Sequence, residues 1–278
     1  MIKYASVDDV ALEALAQRLV EIPGVVAVVL GGSRARGTHR PDSDIDLGLY
    51  YRGDLDVTAL RALAVQEAGE RAEMTVPGGW GPWVNGGGWL TIDGWRVDWI
   101  YRDLDRVHRV WADCQEGRYE VGVQAGHPLG FYSHSYAGEV ALCRVLADRS
   151  GEFTDLREST HAYPAALSAA LVDGLWEADF SVRLARYGAV GIDPTYAAGC
   201  MFRAIGVACQ ALHGHAGQWL INEKGMVPSA GRLPVAPQGF AARAQRLLGH
   251  VGESTQQIEQ TVADATALIG EVQTAVGH

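Results

Sequence analysis

Residues 28–51, VVLGGSRARGTHRPDSDIDLGLYY, decide how this chain folds. An apolar run closes on two glycines and a serine, three arginines follow, and a second run alternates acidic with apolar residues. The first run is β-branched and bounded by glycine, which is typical of a buried strand. In the second run one side-chain face is apolar and the other polar, which predicts a half-buried strand.

Two aspartates stand on the polar face of the second predicted strand. Asp44 and Asp46 are separated by one residue, Ile45, so in a strand their side chains point to the same face. Their charges repel unless a cation lies between them. Two carboxylates, completed by substrate phosphate oxygens, suit Mg²⁺. The stretch therefore predicts a divalent-cation site.

The glycine turn before these acids has the composition of an anion site. Gly31 and Gly32 permit a tight turn in which backbone N–H groups approach an anion closely. Ser33 adds a hydroxyl and can begin a short helix, whose N-terminus favours phosphate. Charge for a polyphosphate is available from Arg34, Arg36 and Arg40, of which we expect one or two to face it.

Taken in order, these motifs resemble a known family. Gly31-Gly32-Ser33, Arg36-Gly37 and Ser43-Asp44-Ile45-Asp46-Leu47 are similar to the signature of the DNA polymerase β-type nucleotidyltransferase superfamily. The chain looks most like the members that modify aminoglycoside or lincosamide antibiotics. The resemblance implies an Mg²⁺-dependent transfer of a nucleoside monophosphate, for which we expect ATP as donor. It implies nucleotide contacts at Gly32, Ser33, Arg36 and Ser43, and metal ligands at Asp44 and Asp46.

The same resemblance implies a third carboxylate on a neighbouring strand. The candidates are Asp93, Asp98, Asp103 and Asp105. Asp93 is explained by a hairpin turn at Asp93-Gly94, and the last two by capping the next helix. Asp98 lies inside the strand WRVDWIY, where a carboxylate needs a partner. We assign it as third metal ligand and general base; an ion pair with Arg96 or Arg102 is the alternative.

The rest of the chain predicts an α+β protein with two domains. A small mixed sheet with helices at 6–21 (capped by Ser6) and 54–72 and a helix after 102 indicates a catalytic domain at residues 1–125. A Gly/Pro/Ser/Tyr-rich link follows at about 125–136. Residues 126–278 are expected to form a helical substrate-binding bundle. Its helices are predicted at 162–188, 195–213, 238–249 and 253–275.

Several further side chains are candidate ligands. Asn222-Glu223-Lys224 resembles a segment in the helical domain of some nucleotidyltransferases, where Lys224 would contact the triphosphate; a solvated surface lysine is equally compatible. Trp80, Trp83 and Trp89 can stack on a base or sugar, although packing explains them more simply. The acids that can bind ammonium groups, unless they only line solvated helix faces, are Glu139, Asp173, Glu177 and Asp179.

Composition limits the partners. The 278 residues carry a formal net charge of -10, which disfavours a nucleic-acid backbone and suits a small cationic substrate. The nucleoside triphosphate and the small hydroxyl acceptor are partners that the family resemblance implies. Scattered cysteines without metal-ligand spacing, no signal peptide and no apolar span predict a cytoplasmic protein without membrane contact. A protein-modifying transferase that attaches AMP to a partner, or an inactive nucleotide-binding protein, are the alternatives; oligomeric state is left open.

Overall fold

The computed structural model describes residues 9–278 and divides into two compact units. The first contains the chain up to Ala112 with Glu120–Gly126 and Phe131–Ala162. The second contains Asp113–Tyr119, His127–Gly130 and Tyr163–His278. The predicted α+β class is confirmed, and the Ser6 cap lies outside the described residues. None of the described helices is long and apolar enough to cross a membrane.

The first unit is built around a five-stranded mixed sheet in the order β3-β4-β2-β1-β7. Strands β1, β2 and β4 form its centre, and β2 pairs with β4 in parallel while the other neighbours are antiparallel. A separate two-stranded sheet joins β5 and β6. The strands are β1 (Val25–Leu30), β2 (Ile45–Tyr51), β3 (Gly87–Ile92), β4 (Trp95–Asp103), β5 (Val121–Gln124), β6 (His127–Tyr132) and β7 (Arg144–Asp148).

Between residues 9 and 162, the structure describes six helices that alternate with these strands along the chain. Among them, α3 begins where the side chain of Asp56 accepts a hydrogen bond from the backbone N–H of Ala59 at 2.9 Å. The helices are α1 (Asp9–Val20), α2 (Gly32–Ala35), α3 (Val57–Ala68), α4 (Leu104–Gln115), α5 (Ser135–Leu142) and α6 (Glu152–Ser159).

The two faces of the central sheet differ. Leu47 and Leu49 of β2 and Trp99 of β4 point into a core with α1 and α3 and are fully buried. The opposite face carries Asp46 of β2 and Asp98 of β4, both only partly buried. Alternation along β2 therefore separates the core from the face that carries the acids.

The hairpin between β3 and β4 confirms its sequence signal. Asp93 and Gly94 have φ values of 50° and 81°, both positive as a two-residue type I′ turn requires. Ile92 and Trp95 pair across the turn. Asp93 is thus explained by the turn.

The two units are interleaved along the chain and do not divide at residue 125, where the sequence suggested a boundary. Residues 144–148 form β7, which pairs with β1 through Ala27 and Asp148 and completes the sheet. The expected link at 125–136 is also wrong, because β6 and the start of α5 occupy it. Long-range pairing therefore keeps residues 131–162 in the first unit.

The second unit is helical, as predicted. The segment expected to form one helix at 162–188 is two helices, which separate at Gly174 and Leu175. A Cβ on Gly174 would lie 2.9 Å from the hydroxyl oxygen of Tyr119, so the break is closely packed. The helices are α7 (Ala165–Asp173), α8 (Trp176–Gly191), α9 (Pro194–His215), α10 (Met226–Ala230), α11 (Phe240–Gly249) and α12 (Thr255–Val276).

Candidate functional site

The glycine turn after β1 lies directly against Asp46. The N–H of Gly31 donates to the backbone oxygen of Asp46 at 2.8 Å. Gly32 has a φ of +60°, and a Cβ added there would lie 1.7 Å from Oδ2 of Asp46. A side chain at Gly32 would therefore collide with the carboxylate. Glycine is required both for the backbone conformation and for the close approach of the acid.

Arg34 ties this turn to the acidic segment. Its Nε donates to the backbone oxygens of Ser43 and Asp44, each at 3.1 Å, and its Nη2 donates to that of Ser43 at 2.6 Å. The guanidinium also lies 5.0 Å from the ring centre of Trp95. Of the three arginines, Arg34 therefore has a positioning role: it fixes the chain that leads into β2.

Asp46 and Asp98 face each other across neighbouring strands. They are direct partners in the parallel β2–β4 register, so both side chains lie on the same sheet face. Leu47 pairs with Trp99 on the buried face. The structure thus brings Asp98, chosen from sequence as the third carboxylate, beside one acid of the predicted pair.

Asp44 lies outside the strand that the sequence predicted for it. β2 begins at Ile45, and the Oδ1 of Asp44 lies 2.5 Å from Nε of Arg96. That oxygen is buried and makes no hydrogen bond of good geometry, while the two side chains are 42% and 67% exposed. Arg96, proposed as an alternative partner of Asp98, is therefore engaged with Asp44.

The carboxylate oxygens of Asp44, Asp46 and Asp98 are donors of the type that a hard divalent cation prefers. Within residues 9–278, no group of three or more His, Cys, Asp or Glu side chains is arranged to hold a metal ion. Asp46 and Asp98 already share a face, and the buried Oδ1 of Asp44 lacks a hydrogen bond. Breaking an exposed ion pair costs about 1 kcal/mol or less. Asp46 and Asp98 are therefore the two carboxylates that the structure brings together, and a metal contact of Asp44 stays a prediction.

The predicted nucleotide contacts near the turn have local structural uses. Nε of Arg36 donates to the backbone oxygen of Gly32 at 3.0 Å. The hydroxyl of Ser43 accepts from the backbone N–H of Arg40 at 2.9 Å. The backbone oxygen of Ser33 accepts from Thr38 N–H at 3.0 Å. These bonds shape the loop and leave a role toward a nucleotide as a prediction.

The Asn222-Glu223-Lys224 segment belongs to the second unit. Glu223 lies 3.0 Å from Nδ1 of His127 and accepts from the backbone N–H of Leu129 at 3.4 Å. Burial raises the pKa of Glu223, but these hydrogen bonds outweigh it and lower that pKa overall. Asn222 accepts from the N–H of Lys224 at 2.7 Å, and the Lys224 side chain is exposed. Glu223 therefore holds His127 and Leu129, which belong to the same unit, and a triphosphate contact of Lys224 stays a prediction.

The acids considered for ammonium recognition mostly have arginine partners. Glu139 accepts two hydrogen bonds, at 2.6 and 2.8 Å, from Arg102, the other arginine proposed for Asp98. Within the second unit, Glu177 pairs with Arg203 and Asp179 with Arg183. Asp173 is the exposed last residue of α7. The carboxylates of Glu139, Glu177 and Asp179 are therefore already engaged in ion pairs within the protein.

The tryptophans of the glycine-rich loop divide into two environments. Trp83 stacks on Phe131 at 5.6 Å beneath Arg106, as the packing interpretation predicted. Trp89 is 72% exposed and is the direct partner of Asp98 in the β3–β4 register. Sequence reasoning named Trp89 but had no signal that places it beside Asp98, because strand register decides that neighbour.

Comparison with known proteins agrees with the motifs. Residues 12–76 match the family described as "Nucleotidyltransferase domain", and no curated protein matches the chain. A solved nucleotidyltransferase-like protein from Exiguobacterium sibiricum 255-15 is 11% identical over 97% of this chain and 77% of its own, with a TM-score of 0.48. The family match includes Gly32, Asp44 and Asp46 and ends before Asp98. Residues 12–76 therefore match a nucleotidyltransferase domain, which is a transferase domain.

Proposed function

We propose that the protein transfers a nucleoside monophosphate, AMP from ATP, to a hydroxyl group of a small molecule in the presence of Mg²⁺. The observation that carries the proposal is the pairing of Asp46 with Asp98 on one open sheet face, with Asp46 against the glycine turn. A phosphate-binding turn beside two carboxylates is the charge arrangement that phosphoryl transfer needs.

Asp44, Asp46 and Asp98 would hold the metal. When bound, it would neutralise the triphosphate and favour loss of the acceptor's proton. Asp46 is the best-positioned ligand, because Gly32 and the β2–β4 pairing fix it from two sides. Asp44 joins the set by releasing Arg96, whose freed guanidinium then becomes available near the phosphates.

The chain's own groups divide the remaining work. Backbone N–H groups at Gly32 and Ser33 orient the phosphates, since the first N–H groups of a helix have no partner within it. Asp98 accepts the proton of the acceptor hydroxyl. The hydroxyl oxygen forms the new bond to the α-phosphorus, and the bond from that phosphorus to the bridging oxygen breaks. Pyrophosphate leaves with the electron pair.

The proposed acceptor is an aminoglycoside or a lincosamide antibiotic. The resemblance to antibiotic nucleotidyltransferases and the net charge of -10 support it, since an acidic protein attracts amine-bearing molecules. Glu139, Glu177 and Asp179 are paired with arginines. The support for an amine-bearing acceptor is therefore the net negative charge of the protein rather than these three acids. Cytoplasmic location is part of the same proposal.

The test is a screen of nucleoside triphosphates against aminoglycosides and lincosamides in Mg²⁺, following pyrophosphate release. Asp98→Asn should lower turnover by at least about a hundredfold, because it removes base and ligand together. Asp44→Ala should abolish release, whereas the matched control Asp42→Ala, which removes only an exposed partner of Arg40, should not. Release that survives Asp44→Ala contradicts the metal assignment.

Two results would replace the small-molecule proposal. Labelling of a protein band from cell extract, with no release on small molecules, would favour a protein-modifying enzyme. Nucleotide binding without any transfer would favour an inactive nucleotide-binding protein.

A further inference from the structure

An exposed tryptophan continues the row of acids across the sheet. On β2, β4 and β3, the consecutive register partners are Asp46, Asp98 and Trp89. Directly opposed side chains lie on the same face with Cβ atoms about 5 Å apart. The indole of Trp89 is 72% exposed, so it is available to a molecule that reaches Asp98.

Trp80 supports this indole from one side. The two rings are stacked, with centres 4.5 Å apart and an angle of 16° between their planes. Trp80 packs closely on the backbone of Gly87, where an added Cβ would lie 3.0 Å from its Cη2 atom. The side-chain Nε2 of Gln124 donates to the backbone oxygen of Trp80 at 2.6 Å and holds the loop. We call the Trp80–Trp89 pair the indole platform.

Packing alone does not explain the platform. A stacked aromatic pair contributes only modestly to stability, and Trp89 on edge strand β3 leaves most of its surface in solvent. Trp83 from the same loop shows the contrast, because it lies on Phe131 and under Arg106. The exposed indole of Trp89, on the strand next to the carboxylate of Asp98, instead has the features of a ligand-binding surface.

The platform and the phosphate turn stand at opposite ends of the row. Gly32 contacts Asp46 on β2, and Trp89 on β3 lies beyond Asp98 on β4. Strands are about 4.8 Å apart, so Asp46 and Trp89 are separated by roughly 10 Å. If the triphosphate binds at the glycine turn, the space beside Asp98 on the platform side stays available for the acceptor.

Resting on the proposed function, we infer that the indole platform binds the acceptor, and that the acceptor is a saturated ring bearing several hydroxyl groups, such as a sugar or a cyclitol. The face of an indole is electron-rich and attracts the weakly positive C–H bonds on the face of such a ring. A reactive hydroxyl must lie on the stacked ring itself, because Trp89 and Asp98 are only one strand spacing apart. Asp98 then faces the hydroxyl groups at the edge of the ring.

Fluorine NMR of the full chain labelled with fluorotryptophan tests this binding without turnover. Trp89→Phe assigns the Trp89 signal among the eight tryptophans, and Trp80→Phe assigns that of Trp80. Trp176, 60% exposed on α8 of the second unit, is the internal control. The probes are methyl glucopyranoside and myo-inositol as saturated hydroxylated rings, phenol as an aromatic ring, glycerol as a hydroxyl compound without a ring, and ATP with EDTA.

We expect both saturated rings, at up to tens of millimolar, to shift the Trp89 and Trp80 signals while Trp176 stays unchanged. Glycerol and ATP should leave all three in place. Any of four results overturns the inference: no shift with either ring, an equal shift of Trp176, a shift with ATP alone, or a response to phenol at concentrations well below those of the saturated rings. A shift with ATP alone would instead indicate that the indole platform binds the nucleobase.

Turnover separates this inference from the proposed function. With an acceptor found in the pyrophosphate screen, Trp89→Ala should raise the KM for that acceptor by about tenfold, which corresponds to 1.4 kcal/mol, without changing the KM for the nucleotide. A change only in the nucleotide KM contradicts the inference. Absence of pyrophosphate release with intact fluorine shifts would instead refute the transferase reaction and leave the binding surface.

Discussion

The contact between Gly32 and Asp46 makes a sharp prediction. In Gly32→Ala the new Cβ would lie 1.7 Å from Oδ2 and 2.7 Å from Cγ of Asp46, so the carboxylate must move. The backbone adds a cost of about 1–2 kcal/mol, because Ala disfavours a left-handed conformation. Displacing a metal ligand by an ångström can reduce turnover about a hundredfold. We therefore expect modest destabilisation and severe loss of activity.

Gly37→Ala is the matched control for this change. Gly37 has a φ of +66°, close to the +60° of Gly32, and an added Cβ meets nothing within 4 Å. Both variants pay the backbone cost, and only Gly32→Ala disturbs Asp46. Urea unfolding should show both destabilised by about 1–2 kcal/mol, with a further loss for Gly32→Ala. Pyrophosphate release should be nearly normal in Gly37→Ala.

Equal activities of the two variants would refute the reasoning. That result would mean that Asp46 tolerates displacement or does not serve the reaction. The same conclusion would follow if both variants lost stability but kept normal pyrophosphate release. Isothermal titration with Mg²⁺ supplies an independent measurement, in which only Gly32→Ala should bind more weakly.

Three further predictions concern charged groups. Glu139→Ala leaves Arg102 buried without its partner and should lower the free energy of unfolding by about 3 kcal/mol; a urea titration showing under 1 kcal/mol contradicts this. Arg96→Gln frees Asp44 from an exposed ion pair, so calorimetry should show tighter Mg²⁺ binding, by up to about fivefold, and weaker binding would refute the metal assignment. Burial lowers the pKa of His213, so its stabilising effect is present above its unfolded pKa of about 6.5 and is lost as the pH falls through the lowered value. In urea unfolding below about pH 6.5, wild type should lose more stability than His213→Asn; parallel pH profiles would disprove the assignment.

Local signals in the sequence predicted the centre of the sheet well. The β-branched run of β1, the alternation of β2 and the Asp93-Gly94 turn each encode their structure within a few residues. β7 escaped notice because five residues carry little periodicity, and its strand status comes from pairing with β1 more than 100 residues earlier. The domain boundary was misjudged for the same reason.

For the candidate site, residue types were easier to predict than neighbours. Asp98 could be chosen because a carboxylate inside a strand needs an explanation. Its position opposite both Asp46 and Trp89 depends on register, which no single strand encodes. Asp44 shows the converse error: strict alternation placed it in β2, whereas the strand begins one residue later and Arg96 holds its side chain.

The buried pair of Arg102 and Glu139 also bears on the accuracy of strand alignment. Arg102 stands on β4 four residues after Asp98, and it pairs with Tyr50 in the same parallel register. Sliding β4 by one residue would turn every side chain to the other face, sending Asp98 into the core and separating Arg102 from its carboxylate. The ion pair thus penalises a misaligned sheet, so that it favours the one strand alignment in which Asp98 lies opposite Asp46.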